Sequence, residues 1–457
     1  MNKKIQINTF SRRFALSVTG ATSLSFGLLL PATAAEFRSM DGTGNNIADP
    51  DFGATETELL RLAENAYEDG ISIPRGGDPT TLSSARAISN AISAQSASIP
   101  NSQGVSDWVW QWGQFLDHDL SLTPIPTAEP FNIEVPLDDT TFTPGGTIEF
   151  NRSAFEAGTG TDTSNPREQF NEITAYLDAS SVYGSDDGRA EDLRTHDGTG
   201  QLLTTTGANG EILLPFNTFG LDNDNGPGPN PNPEDFFIAG DDRANEQVGL
   251  IAIHTLLVRE HNRTAAELEA RLDGGDAELI AKRDEAIADP DNGVDDEGDF
   301  IYESTRKVVG GIVQIITYEE WLPIILGEDA LEEYDGYDDT VDAGISTEFS
   351  TAAFRFGHTM LSPDLLRVDN DGNLVDALSL RDSFFNPDEV FNNGIDTIFL
   401  GLASQEAQEV DTQIIDDVRN FLFTNVAPIG FDLPALNIQR GRDHGIPPIN
   451  VVRAALG

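Results

Sequence analysis

The chain has 457 residues, 77 of them acidic and 27 basic, with six histidines, no cysteine and a formal charge of −50. That length can bury one large core or two ordinary ones, and a hydrophobic content of 39 % suits a folded domain rather than an acidic disordered tail. Lack of cysteine excludes a disulfide framework, a disulfide-linked dimer, a zinc ribbon, an iron–sulfur cluster and a thiol nucleophile, and the charge repels nucleic acid and anionic membranes.

At the N-terminus, Lys3, Lys4, Arg12 and Arg13 precede a stretch of apolar and small residues from Phe14 to Leu30. Pro31, Ala32, Thr33 and Ala34 then offer an A-x-A cleavage site. This pattern predicts a secretory signal peptide over 1–34 and a mature domain over 35–457. Ser11-Arg12-Arg13-Phe14 has the look of a twin-arginine signal, so bacterial export to the periplasm or the exterior is expected. No later segment reads as long and apolar enough to span a bilayer, which predicts no stable membrane insertion.

Residues 36–105 are rich in Gly, Ser and Asn, with one short predicted helix from Thr57 to Tyr67. Apolar periodicity predicts helices over Trp108–Leu120, from near Glu246 to about Leu268, and from Tyr302 to Leu326, the last closed by Gly327. The turn-rich stretches Asn223–Asp235 and Asp289–Asp299 lack the glycine an EF-hand needs and read as solvated acidic loops. The fold class is mainly α, a single large domain of helices joined by long loops with little β.

Three segments stand out chemically. In Trp108–Pro124, Gln114 and His118 are four apart and share a helix face. Asp117, His118 and Asp119 are consecutive, about 100° apart around a helix axis, and must reach different partners. The plainer alternative is a pair of capping acids around one satisfied histidine. In and just after Ala239–Glu246, Arg243, Glu246 and Gln247 fall at i, i+3 and i+4 of an expected helix start, where a capping acid and a surface arginine are the alternative. In Phe349–Met360, His358 follows Gly357 among phenylalanines, as either a ligand or a satisfied core histidine. His254 and His261, seven apart on one helix face, read as buried and hydrogen-bonded, whereas His196 and His444 stand beside aspartates as structural groups.

Taken together, the stretches RSMDGTGNN, WGQFLDHD, TAYLDASSVYGS, DDRANEQVGLIAIHTLLVREHNR, ITYEEWLPIILG, FRFGHT and LNIQRGRDHGIPPIN follow one another from residue 38 to the end of the chain. In order and spacing the chain resembles the animal-type haem peroxidase family of the peroxidase–cyclooxygenase superfamily, in its bacterial, peroxidasin-like branch. The resemblance implies a haem b cofactor. His118 is then the distal acid–base group, with Gln114 ordering halide and water, Arg243 as the distal arginine and His358 as the proximal iron ligand. Asn437 is implied to accept a hydrogen bond from the proximal imidazole, and Arg355 and Arg440 to lie near the haem propionates. Asp117 and Glu246 occupy the positions that form ester bonds to the haem. Gln247 stands where some members carry a methionine with a third link, so that link is absent. Asp119, Thr174, Tyr176 through its backbone oxygen, Asp178 and Ser180 match the family's calcium site.

The implied activity is reduction of hydrogen peroxide and oxidation of halide, thiocyanate or small aromatic donors through a ferryl porphyrin-radical intermediate. Fatty-acid oxygenases of the superfamily carry a radical-forming tyrosine three residues before the proximal histidine, where this chain has Arg355. That favours a peroxidase over a fatty-acid dioxygenase. The set His118, Arg243 and His358 argues against a silent calcium-binding protein on the same scaffold. The family's domain continues past the region of Asn450, so the resemblance also implies a domain truncated at its C-terminal end.

Overall fold

The computed structural model describes residues 37–76, 82–227, 231–290, 292–334, 336–427 and 430–457. The expected signal peptide lies outside them. Helices predominate among the described residues, and β-structure is confined to four two-stranded antiparallel sheets, the longest pairing Asp364–Val368 with Leu374–Ser379. The mainly α class inferred from the sequence holds.

Helix α1 spans Trp108–Leu120, the predicted bounds, and buries Trp108, Val109, Trp110, Gln111, Trp112, Phe115, Leu116, His118 and Asp119. A helix apolar around most of its circumference belongs inside the core. The Asp117–Asp119 run falls in its last turn, so these acids are not N-caps. At Gly113 a Cβ would approach Trp321 to 3.2 Å, and the missing side chain lets that indole lie against the helix.

Helix α2 spans Val248–Asp273. Its N-cap is Gln247, in extended conformation, with the side chain accepting from the Gly249 N–H. Arg243 and Glu246 therefore sit in the turns before the helix, not within it as the spacing suggested. Helix α3, Glu297–Ile315, starts at the N-cap Asp296 and packs along α2. It continues as a π-helical turn over Ile316–Trp321, then Leu322–Leu326, and stops at Gly327 with φ +103°. Thr317 stands at the wide turn, donating to the Val313 carbonyl at 2.7 Å and accepting from Trp112 Nε1 at 3.2 Å.

By length and hydropathy the run Glu297–Leu326 could cross a membrane, contrary to the sequence expectation. About 33 % of its apolar window is buried, and that share includes Val309, Val313 and Ile316, which join the main core beside α1 and α2. Helix α4, Leu433–Asp443, is capped by Asp432 and carries Pro434 in its first turn.

The helix expected over Thr57–Tyr67 does not form. Thr57 and Glu58 pair with Asn171 and Phe170. The N–H groups that follow go to distant partners: Leu59 to Gln169, Leu60 to Ile345, and Leu62 and Ala63 to the Glu348 carboxylate. Long-range acceptors satisfy this backbone where helical ones would have done so.

Candidate active site

One slot is walled by α1, the turn before α2, the 3₁₀ stretch Ala353–Met360 and the start of α4. Gln114, Asp117, His118, Glu246, Gln247, Arg355 and His358 line it together with Trp110, Trp321, Phe354, Phe356, Phe384 and several leucines. Segments more than two hundred residues apart thus converge on two histidines in an apolar cleft.

His118 is 3 % exposed and stands between two carboxylates. Its Nδ1 is 3.5 Å from Asp241 Oδ1, and its Nε2 is 3.5 Å from Glu246 Oε2. Neither approach is a good hydrogen bond, and Nδ1 has no hydrogen-bond partner. Asp241, which the sequence reading passed over, is the hub behind this wall. It accepts from Arg243 Nε at 2.9 Å and Nη2 at 2.6 Å, a two-pronged, charge-assisted contact. Burial would raise the Asp241 carboxyl, but Arg243 and His118 hold it well below the usual carboxylate range. Arg243 also donates to the carbonyls of Ser121 and His118 at 3.1 and 3.4 Å. It is engaged behind His118 and is not among the residues that line the slot. An acid two residues before an arginine was the available clue to Asp241.

Glu246 is likewise desolvated, yet its pKa is lowered by His118, Arg243 and His358. Asp117 approaches Arg355 Nη1 at 3.6 Å. Gln114 accepts from Gln247 Nε2 at 3.0 Å.

Across the slot, His358 Nδ1 is 2.8 Å from Nδ2 of Asn437 on α4. The contact joins the expected pair, but with the amide nitrogen facing the ring the imidazole accepts rather than donates. The oxygen and nitrogen of an amide occupy nearly the same volume, and a half-turn of Asn437 restores the other sense. Burial, aided by Arg355, depresses His358 to about 4, so the ring is neutral at ordinary pH and its Nε2 side is left to the slot. Arg440 does not line the slot. It donates to the Asn151 carbonyl, Ser153 Oγ and Asp443 Oδ2, each at 2.9 Å, and stacks over Phe150 at 4.1 Å.

Of the other histidines, His261 bonds Tyr183 Oη at 2.9 Å and the Gly200 carbonyl at 2.8 Å, as expected. His254 is equally buried, as expected; Phe115 packs edge-on to it, and burial lowers its pKa to about 3, opposed by nearby Asp241 and a backbone contact with Ser181. His444 is held by Thr351 Oγ1 and Ser153 Oγ.

Behind α1, Asp119 points away from the slot. Its Oδ1 accepts from the Ser181 N–H at 3.0 Å, and Ser180 Oγ donates to its carbonyl at 3.2 Å. Asp178 accepts from the Ser180 N–H at 3.0 Å and from Thr174 Oγ1 at 3.2 Å, and the Tyr176 carbonyl accepts from the Asp178 N–H at 3.0 Å. Burial and the neighbouring Asp178 push Asp119 up to about 7. Two carboxylates with no cation between them are costly in such surroundings. Among the described residues no group of three or more His, Cys, Asp or Glu side chains is arranged for a metal, so any cation here would rely on hydroxyl and backbone oxygens as well.

A predominantly helical scaffold here presents two histidines and two carboxylates to one apolar slot. The sequence profile described as animal haem peroxidase matches residues 37–457, and the chain belongs to that family. It is 37 % identical to the human peroxidasin homolog, with 92 % of this chain aligned to 29 % of that one, and 36 % identical to human myeloperoxidase, covering 58 % of it. The chain thus spans about a third of the length of the peroxidasins it matches. In structure it is similar to peroxidase A of Dictyostelium discoideum, with a TM-score of 0.79, 33 % identity, and coverage of 93 % of this chain and 79 % of that one. The fold also matches a fatty acid alpha-dioxygenase of Arabidopsis thaliana, with a TM-score of 0.69 at 18 % identity.

Proposed function

We propose that this chain is the catalytic domain of an exported haem peroxidase that reduces hydrogen peroxide and oxidises halide, thiocyanate or small aromatic donors. The observation that carries this reading is the single slot lined by both His118 and His358, with the second ring nitrogen of His358 taken up by Asn437. The donor set fits haem: one neutral imidazole for iron, aromatic and aliphatic walls for the ring faces, and Asp117 and Glu246 in reach as ester-forming carboxylates. Haem, when bound, supplies the iron at which the peroxide O–O bond is broken and the oxidising equivalents passed on to the donor.

The chain's own residues manage protons and charge. Asp241 beside Nδ1 favours the tautomer with its proton there, which leaves the Nε2 lone pair of His118 as base. Nε2 takes the first peroxide proton and returns it to the departing oxygen. An ionised Glu246 beside Nε2 works against that tautomer. Arg243 acts from behind, as fixed positive charge holding Asp241 in place. Arg355 lines the slot where a fatty-acid oxygenase would need its tyrosine, and the dioxygenase likeness extends to the fold alone.

Asp119, Asp178, Thr174, Ser180 and the Tyr176 carbonyl form the proposed calcium site, an all-oxygen set suited to a hard cation. Chelation should lower the unfolding temperature and added calcium restore it. The test of function is the absorption spectrum of protein produced with haem, before and after peroxide and then with bromide. A Soret band that shifts with peroxide and returns with bromide supports the reading. Folded protein without a Soret band overturns it. Haem that stays with the chain on a denaturing gel would support the ester links.

A further inference from the structure

We propose that Gln247 is a positioning residue. With Gln111 it fixes the Gln114 amide so that the slot is met by an N–H donor instead of a carbonyl oxygen, which selects small acceptor-only anions and peroxide oxygen. This rests on the reading above that the slot holds haem.

The chain of orientation begins at a group whose polarity is fixed. The backbone N–H of Gly249 can only donate, and it does so to Oε1 of Gln247 at 2.6 Å. That bond determines which way round the Gln247 amide lies. Its Nε2 end then donates to Oε1 of Gln111 and, at 3.0 Å, to Oε1 of Gln114. Turning either partner over would set N–H against N–H. The Gln114 oxygen is therefore drawn toward the protein. Its Nε2, which has no hydrogen-bond partner among the described residues, is left for the slot that Gln114 lines.

The arrangement is built rather than incidental. Gln111 and Gln247 are 0 and 2 % exposed, and buried amides cost free energy unless satisfied. A Cβ at Gly249 would collide with the Gln111 amide, so glycine in the first turn of α2 keeps the room that the trio occupies. Leucines would fill the same space without regard to direction; three linked amides define one.

Fluoride is the probe, because it accepts hydrogen bonds, cannot donate them and is not oxidised by peroxide. Its dissociation constant is read from the Soret band of the haem-loaded full chain in wild type, Gln114→Leu, Gln247→Leu, Gln247→Glu and the double leucine variant. A hydrogen bond to an anion implies weakening by about tenfold or more for each leucine variant. The double variant should bind no more weakly than Gln114→Leu alone, because Gln247 acts through Gln114. Gln247→Glu keeps the acceptor that caps α2. It offers Gln114 no donor, however, and should weaken fluoride as the leucine does. Fluoride constants unchanged in both position-247 variants, or additive losses in the double variant, overturn the positioning role alone. A wild-type chain that folds but takes up no haem overturns the reading beneath it.

Discussion

The two walls of the slot are held by different means. On the His118 side, Asp241, Arg243 and Glu246 surround one ring with charge, and three glutamines extend the polar wall. On the His358 side one neutral amide and a row of aromatic rings do the holding, with Phe354 stacked on Phe349 at 4.8 Å and set edge-on to Trp321. The contrast follows from what each ring must do. A group that gains and loses a proton needs charges that fix its tautomer and stabilise both of its states. A group that binds metal needs only a free lone pair and a rigid seat.

Three experiments test that contrast, and one more tests a buried histidine outside it. The largest effect is expected from His118→Leu, which should slow the reaction with peroxide by about 10²–10⁴ while haem uptake persists, measured by stopped-flow absorbance. A loss below tenfold would remove His118 from acid–base duty. Next is Asp241→Leu, which leaves the Arg243 charge buried without its main partner and should cost about 3–5 kcal/mol in urea unfolding. A cost under about 1 kcal/mol would mean that charge does not hold this wall.

The third concerns a histidine on neither wall. Burial holds His261 at about 4, below its ordinary 6.5. Between these values the unfolded chain binds more protons than the folded one, so stability falls as pH drops from about 6.5 to about 4, by up to about 1.4 kcal/mol per pH unit. His261→Gln should lessen the slope of unfolding free energy against pH across that window by up to about 1.4 kcal/mol per pH unit, with His254, His358 and His444 carrying their own shares; an unaltered slope would mean the group titrates alike in both states. The smallest effect is expected from Asn437→Leu, about 1 kcal/mol for one neutral hydrogen bond. A cost as large as that of Asp241→Leu would abolish the difference between the walls.

Much of this was legible in the sequence. Trp108–Leu120 could be bounded because its apolar residues dominate from Trp108 to Leu116 and its acids cluster at one end. The meeting of Gln114, Asp117, His118, Glu246, Arg355 and His358 around one cleft follows from motifs whose order the family shares. What escaped is what backbone trajectory decides. Arg440 turns to Asn151 and Ser153, on a loop nearly three hundred residues away, and no local pattern announces that. Thr57–Tyr67 has a helical composition, yet its N–H groups meet acceptors from three distant segments. Gln111 and Asp241 looked like ordinary polar residues, because their role lies in which atom faces which.

The wide turn at Ile316–Trp321 has a consequence for how the chain tolerates change in length. A π turn holds one residue more than an α turn, so each side chain beyond it is rotated by about 100° from where an unbroken helix would carry it. Trp321, against Gly113 and facing the slot, owes its aim to that surplus. Deleting one residue between Ile316 and Glu320 would make the helix more regular and the enzyme worse, since the indole would swing off the cavity wall. Here a shorter loop of backbone hydrogen bonds, ordinarily a gain for a helix, would open the site to water.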